Sequence, residues 1–142
     1  MGIAEITTPP DELESLADGL TGFGSTIRIR ALALLEFEHS PNMLTDAMGD
    51  IPLGSVSYHV RMLRDYGLVE LSRTEPKRGA LEHFYHRTEL ADTLMSALAK
   101  TLGVPRRGPG RAGTPKRLKE LQAWAYRKPP AEPEPEAEVA SG

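Results

Sequence analysis

The stretch Leu53-Gly54-Ser55-Val56-Ser57-Tyr58-His59-Val60-Arg61-Met62-Leu63-Arg64-Asp65-Tyr66-Gly67 reads as a helix with two unlike sides. Val56, Val60 and Leu63 recur at i, i+4 and i+7, a narrow stripe that needs a core behind it. His59 sits on the edge of that stripe. A wheel centred on Val56 turns Gly54, Tyr58, Arg61 and Asp65 away from the core, with Ser55 and Ser57 to either side. Pro52 bounds the start of the helix and Gly67 its end. Such a helix is held by one side and offers the other, which is small at its N-terminal end and basic further along.

The neighbouring segments supply the support. Upstream, Thr26–Phe37 reads as a firm helix capped by Ser25, with Ala31, Leu32, Leu34 and Leu35 as its apolar stripe and Arg28 and Glu36 in water. Ser40-Pro41 opens a short helix over Pro41–Met48, with Ser40 as cap and Pro41 in the first turn. That helix buries Leu44, Ala47 and Met48, and Gly49 stops it. His39 falls alone in a loop and reads as solvated. Downstream of Gly67 the period changes to two. Leu68–Thr74 and Leu81–Arg87 read as strands joined by the basic turn Pro76-Lys77-Arg78-Gly79. Glu89–Leu102 then forms an amphipathic helix with Leu90, Leu94, Met95, Leu98 and Leu102 along one stripe.

Helix, short helix, tight turn, helix, basic-tipped hairpin and long helix is the layout of a winged helix-turn-helix. The fold class expected is mainly α with a small β-hairpin. A B-DNA major groove is about 12 Å wide and admits one helix. Small residues at Gly54, Ser55 and Ser57 would let the backbone approach, and helix N-terminal N–H groups favour phosphate. Arg61 can fork to a guanine edge or a phosphate. Tyr58 offers a ring and a hydroxyl. Arg73, Lys77 and Arg78 would reach phosphates or an adjacent minor groove. The plainer alternatives stay open: Tyr58 folded onto the surface, and the three bases forming a solvated hairpin edge that discourages aggregation.

The run Ser55-Val56-Ser57-Tyr58-His59-Val60-Arg61-Met62-Leu63, followed by Gly67-Leu68-Val69, resembles the recognition-helix signature of the ArsR-like winged-helix regulators. Arg78-Gly79-Ala80-Leu81-Glu82-His83-Phe84-Tyr85 is similar to the wing of a cysteine-free, actinobacterial-type subgroup. Arg28-Ile29-Arg30-Ala31-Leu32 and Ser40-Pro41 match as well. The resemblance spans Ser25–Leu102. It implies a homodimer on operator DNA, often a repressor, with contacts from Ser55, Ser57, Tyr58, Arg61 and the wing bases. Metal-sensing members of the family use a cysteine cluster, and this chain has no cysteine.

Charge is segregated along the chain. Net charge is −3, yet residues 1–50 carry −7, residues 51–104 carry +1, residues 105–131 carry +7 and residues 132–142 carry −4. A local basic block matters more to a polyanion than the total. The block Arg106, Arg107, Arg111, Lys116, Arg117 and Lys119 reads either as a nonspecific DNA arm or as a plain linker. The organisation expected is a flexible arm over 1–24, with helical spacing at Asp11–Leu20 but weakened by Gly19, Gly22 and Gly24. The winged domain over 25–102 follows, then a basic linker with a short helix near Lys116–Arg127 over 103–128, and a disordered acidic tail over 129–142.

The Leu90, Leu94, Met95, Leu98 and Leu102 stripe is assigned to pairing with a second copy, the alternative being closure of its own core. A homodimer would set two reading helices about 34 Å apart. No phosphate-cradling glycine loop, nucleophile motif or carboxylate–histidine metal spacing is present, so neither enzyme activity, metal nor cofactor is expected. With no secretory or membrane-spanning pattern, the expected location is the cytoplasm. The expected partner is double-stranded DNA. The rival is a winged-helix protein–protein adaptor, and an unidentified small-molecule effector between paired helices is a third reading.

Overall fold

A computed structural model of the chain describes residues 10–106 and 114–130. In order, the elements are α1 (Pro10–Gly22), α2 (Thr26–Leu34), α3 (Pro41–Met48), α4 (Leu53–Asp65), β1 (Val69–Lys77), β2 (Ala80–Arg87), α5 (Glu89–Leu102) and α6 (Pro115–Ala125). The described residues are thus mainly helical with one two-stranded antiparallel hairpin, an order compatible with a winged helix.

Helix α2 is the hub. It starts where the Ser25 side chain accepts from Arg28 N, and it buries Arg30, Ala31, Leu32, Ala33 and Leu34 in succession. A helix buried on every side needs neighbours all round. Here α3, α4, α5 and α6 supply them. Helix α3 begins at the Ser40 cap with Pro41 in its first turn, and it ends on Gly49 at φ 83°, the left-handed geometry that glycine adopts without a Cβ penalty. Its Leu44 and Met48 back α4, whose Val56, Val60 and Leu63 point into the core.

The hairpin closes more tightly than the sequence suggests. Pairing continues to Lys77↔Ala80, so Arg78 and Gly79 alone make the turn. Both have positive φ, 51° and 81°. That is a two-residue turn of the kind that matches strand twist. Ser72 is an extra residue between the pairs Leu71↔Tyr85 and Arg73↔Phe84, a bulge that bends β1. His39 adds a short third rung, its N–H and C=O pairing with Tyr85 at 3.1 and 2.9 Å. It is only 2% exposed, not solvated, because this rung pulls it beneath the hairpin. Its Nδ1 meets the Phe37 carbonyl at 2.9 Å, and burial holds its pKa below the ordinary value.

Four other expectations need correction. Residues 10–22 are a helix packed on α5 rather than a loose arm. Gly22 acts there as a contact, since a Cβ on it would lie 2.4 Å from Leu68 Cδ1. Arg28 and Glu36 are not in water: Arg28 Nε donates to Gly22 O at 2.8 Å with its guanidinium over the Tyr66 ring, and the Glu36 side chain is 7% exposed, held by Arg117 from α6. Leu94 and Met95 of α5 are buried in their own chain's core, while Leu90 and Leu102 pack at its edge. The fourth concerns α6. It is an integral wall, with Leu121 and Ala125 fully buried against α2 and α3. Arg107, Arg111 and residues 1–9 and 131–142, to which parts of the arm, basic block and tail were assigned, lie outside the described residues.

Two buried arginines hold α6 in place. Arg30 donates to Ala125 O at 2.8 Å, Met48 O at 3.1 Å and Asp50 Oδ1 at 2.7 Å. Arg117 donates to Glu36 through Nε and Nη2, at 3.1 and 3.0 Å, and to Pro105 O at 2.6 Å. Buried charge is tolerable only with such pairing. The chain then leaves α6 with Arg127 N donating to Met48 O at 2.8 Å.

Candidate nucleic-acid interface

Helix α4 has no side-chain cap, because Pro52 stands at its N-cap. The first helical N–H groups therefore remain available to an outside acceptor. Gly54 is exposed, and a Cβ there would touch nothing within 4 Å. Ser55 and Ser57 are half-buried at the flanks, while Tyr58 and Arg61 are exposed. All five residues expected on this face thus lie on the outward side of α4 or at its edges. Arg61 makes no ion pair with the described residues.

A groove runs between α4, the start of α3 and strand β2. Ser57, Arg61, Arg64, Asn42, Leu81 and His83 are among the residues that line it. The sequence reading missed four of these. Arg64 was detectable, since it lies three residues after Arg61 on the same side of the helix. Asn42, Leu81 and His83 carried no sequence signal, because their elements meet α4 only through the tertiary fold.

His59 sits behind this face. Its Nδ1 is 3.3 Å from Arg28 Nη1. A guanidinium can only donate, so Nδ1 accepts and the ring proton resides on Nε2. Partial burial and the Arg28 charge hold its pKa below the ordinary value. His59 therefore ties α4 to Arg28 of α2 as a neutral ring, and Arg28 in turn holds the end of α1 through Gly22 O.

The hairpin bases divide into two kinds. Arg73 donates to Glu38 Oε1 at 2.6 Å and also to Glu75, and its guanidinium lies 4.0 Å from the Phe84 ring centroid. Ser72 donates to the same Glu38. These two donors hold the Glu38 pKa below the usual carboxylate range. Lys77 Nζ is 3.6 Å from Glu82, whose other oxygen accepts from Ser40 Oγ at 2.6 Å. Arg73 and Lys77 therefore already have carboxylate partners. Arg78 makes no ion pair with the described residues and occupies the left-handed turn position. Asparagine or glycine would sit there at lower cost than a long side chain.

No protein-family model matches the chain, and no curated protein matches it.

The face is mixed rather than uniformly basic. Leu53 (43% exposed) and Leu81 (58%) line the groove, and Tyr58 (49%) is exposed on the same helix as Leu53. Chemically it can offer helix N–H groups and hydroxyls to an anion, two guanidinia at Arg61 and Arg64 that make no ion pair among the described residues to a base edge or phosphate, and apolar surface to a methyl group. Among the described residues, no helix is long and apolar enough to cross a membrane.

Proposed function

We propose that this protein is a winged helix-turn-helix transcriptional regulator of the ArsR-like kind, reading double-stranded DNA with α4. The observation that carries this is the pairing of a core-anchored helix with an outward side that is small at its start and carries two arginines without an ion pair among the described residues. In this reading Arg61 and Arg64 enter the major groove, Gly54, Ser55 and Ser57 let the backbone approach, and Tyr58 meets a phosphate or thymine methyl. Arg78 at the hairpin tip touches the backbone, while Arg73 and Lys77 contribute less because carboxylates already accompany them. The protein acts as a homodimer, as operator symmetry favours. Leu98, half-buried on α5, and Leu13 and Leu20, exposed on α1, are available to that contact. Leu94 and Met95 are not.

Fluorescence anisotropy against sequences selected from a random duplex pool tests the reading. Arg61→Ala should weaken the selected sequence by about 1–3 kcal/mol and relax its base preference. Unchanged affinity would remove α4 from the contact. A second reading, docking of a protein partner, is favoured by Leu53 and Leu81 exposed in the groove. It is supported if no duplex is enriched and the Leu81→Glu variant loses a co-purifying protein.

A further inference from the structure

A second concave site, which shares no lining residue with the α4 groove, lies where α5, α6 and the end of α2 converge. It encloses about 600 Å³, within the range of small-molecule sites. Its inner wall holds three charged groups that are almost fully withdrawn from water. Glu36, Arg87 and Arg117 have side chains 7%, 8% and 10% exposed. Arg117 Nη2 is 3.0 Å from Glu36 Oε1 and Arg87 Nη2 is 3.7 Å from the same oxygen. Two guanidinia thus share one inner carboxylate. Asp92 partners Arg87 at 2.8 Å from the exposed rim.

Lys100 and Arg106 stand at the mouth and make no ion pair with the described residues. Among the described lining residues, four cations therefore face two carboxylates. The remaining wall is apolar, formed by Met95, Ala99 and Val104. A structural ion-pair network accounts for Glu36, Arg87 and Arg117 but not for two further cations gathered at the opening. Arg117 uses only part of its donor set on Glu36 and Pro105, since a guanidinium carries five N–H groups.

We propose that this cavity binds a small organic carboxylate with a compact apolar body. The carboxylate lies between Lys100, Arg106 and the outer edge of Arg117, and the body lies against Met95, Ala99 and Val104. The site is separate from the α4 groove, so its test requires no DNA.

The probe is 2-naphthoate, with the neutral 2-naphthamide as its shape-matched control, followed by titration calorimetry and methyl NMR. The carboxylate should bind saturably at millimolar concentration or below and shift the Met95 and Ala99 methyl signals. The amide should bind about tenfold more weakly, because it lacks the charge-assisted hydrogen bonds. Both mouth residues are exposed, so Lys100→Ala/Arg106→Ala should stay folded and lose about the same factor. Ser96→Trp, at the exposed rim, should narrow the opening and abolish the methyl shifts. Absence of saturable binding, equal binding of acid and amide, or wild-type affinity in the double variant would each overturn the proposal.

Discussion

Helices α4 and α6 both bring arginine to a basic stretch of sequence, and the fold uses them in opposite ways. Arg61 on α4 projects into solvent without a carboxylate partner among the described residues. Arg117 on α6 is buried against Glu36, which lies 81 residues earlier in the chain. The lesson is that the charge of a segment does not measure what is available to a polyanion. A partner distant in sequence can neutralise a cation that looks free. The hairpin repeats this on a smaller scale, with Arg73 held by Glu38 and Glu75 while Arg78 makes no ion pair among the described residues.

The strongest break in this contrast is Arg30→Ala. It leaves Asp50 and the carbonyls of Met48 and Ala125 without their shared donor. Removing one partner of a buried pair costs about 3–5 kcal/mol. Urea unfolding should show a loss of that order, whereas Arg61→Ala should stay within about 0.5 kcal/mol of wild type. Equal losses would erase the distinction between the two regions.

Next in size is Gly49→Ala. A Cβ there would lie 2.4 Å from Tyr126 Cε1 and 2.7 Å from Arg127 O, at φ +83°. Left-handed strain and overpacking together should cost about 2–3 kcal/mol. Proteolysis should then cut after α6 before it cuts in α4. Earlier cleavage in α4 would mean that α6 is not the element displaced.

The hairpin sharpens the comparison at lower energy. Arg78→Ala should weaken binding to all duplexes alike and reduce the salt slope by about 1. Arg73→Ala should change that slope less, since its charge is already balanced. A larger effect from Arg73 would show that it leaves its carboxylates for phosphate.

The smallest effect concerns pH. The pKa of His39 is lowered from 6.5 in the folded protein, so the unfolded chain takes up a proton more readily. Its contribution to stability is complete above that ordinary value and is lost as pH falls below it toward the folded pKa. His59 acts in the same direction. His39→Asn should therefore reduce, without removing, the decline in stability over this window, measured by denaturant midpoint against pH. An unchanged decline would assign it elsewhere.

Much of the architecture was legible because it rests on local rules. Ser40-Pro41 and Gly49 marked the ends of α3, and Val56, Val60 and Leu63 fixed which side of α4 is buried. Glu89–Leu102 was readable from its apolar period alone. The place of α6 was harder to see. Its signal was indirect, in the unbroken apolar run Ala31-Leu32-Ala33-Leu34-Leu35, which leaves α2 no side for water and calls for another cover. On the candidate site, Gly54, Tyr58 and Arg61 could be placed from helical periodicity, while Asn42 and His83 could not.

By itself the amino-acid order determined the helices, the hairpin and the outward side of α4, because caps, turns and periodicity act over a few residues. Only the tertiary structure decided which of the described cations have carboxylate partners, that Leu94 and Met95 face their own core, and that His39 is buried. Those outcomes depend on contacts between residues far apart in the chain, where distance and desolvation rather than local preference set the energy.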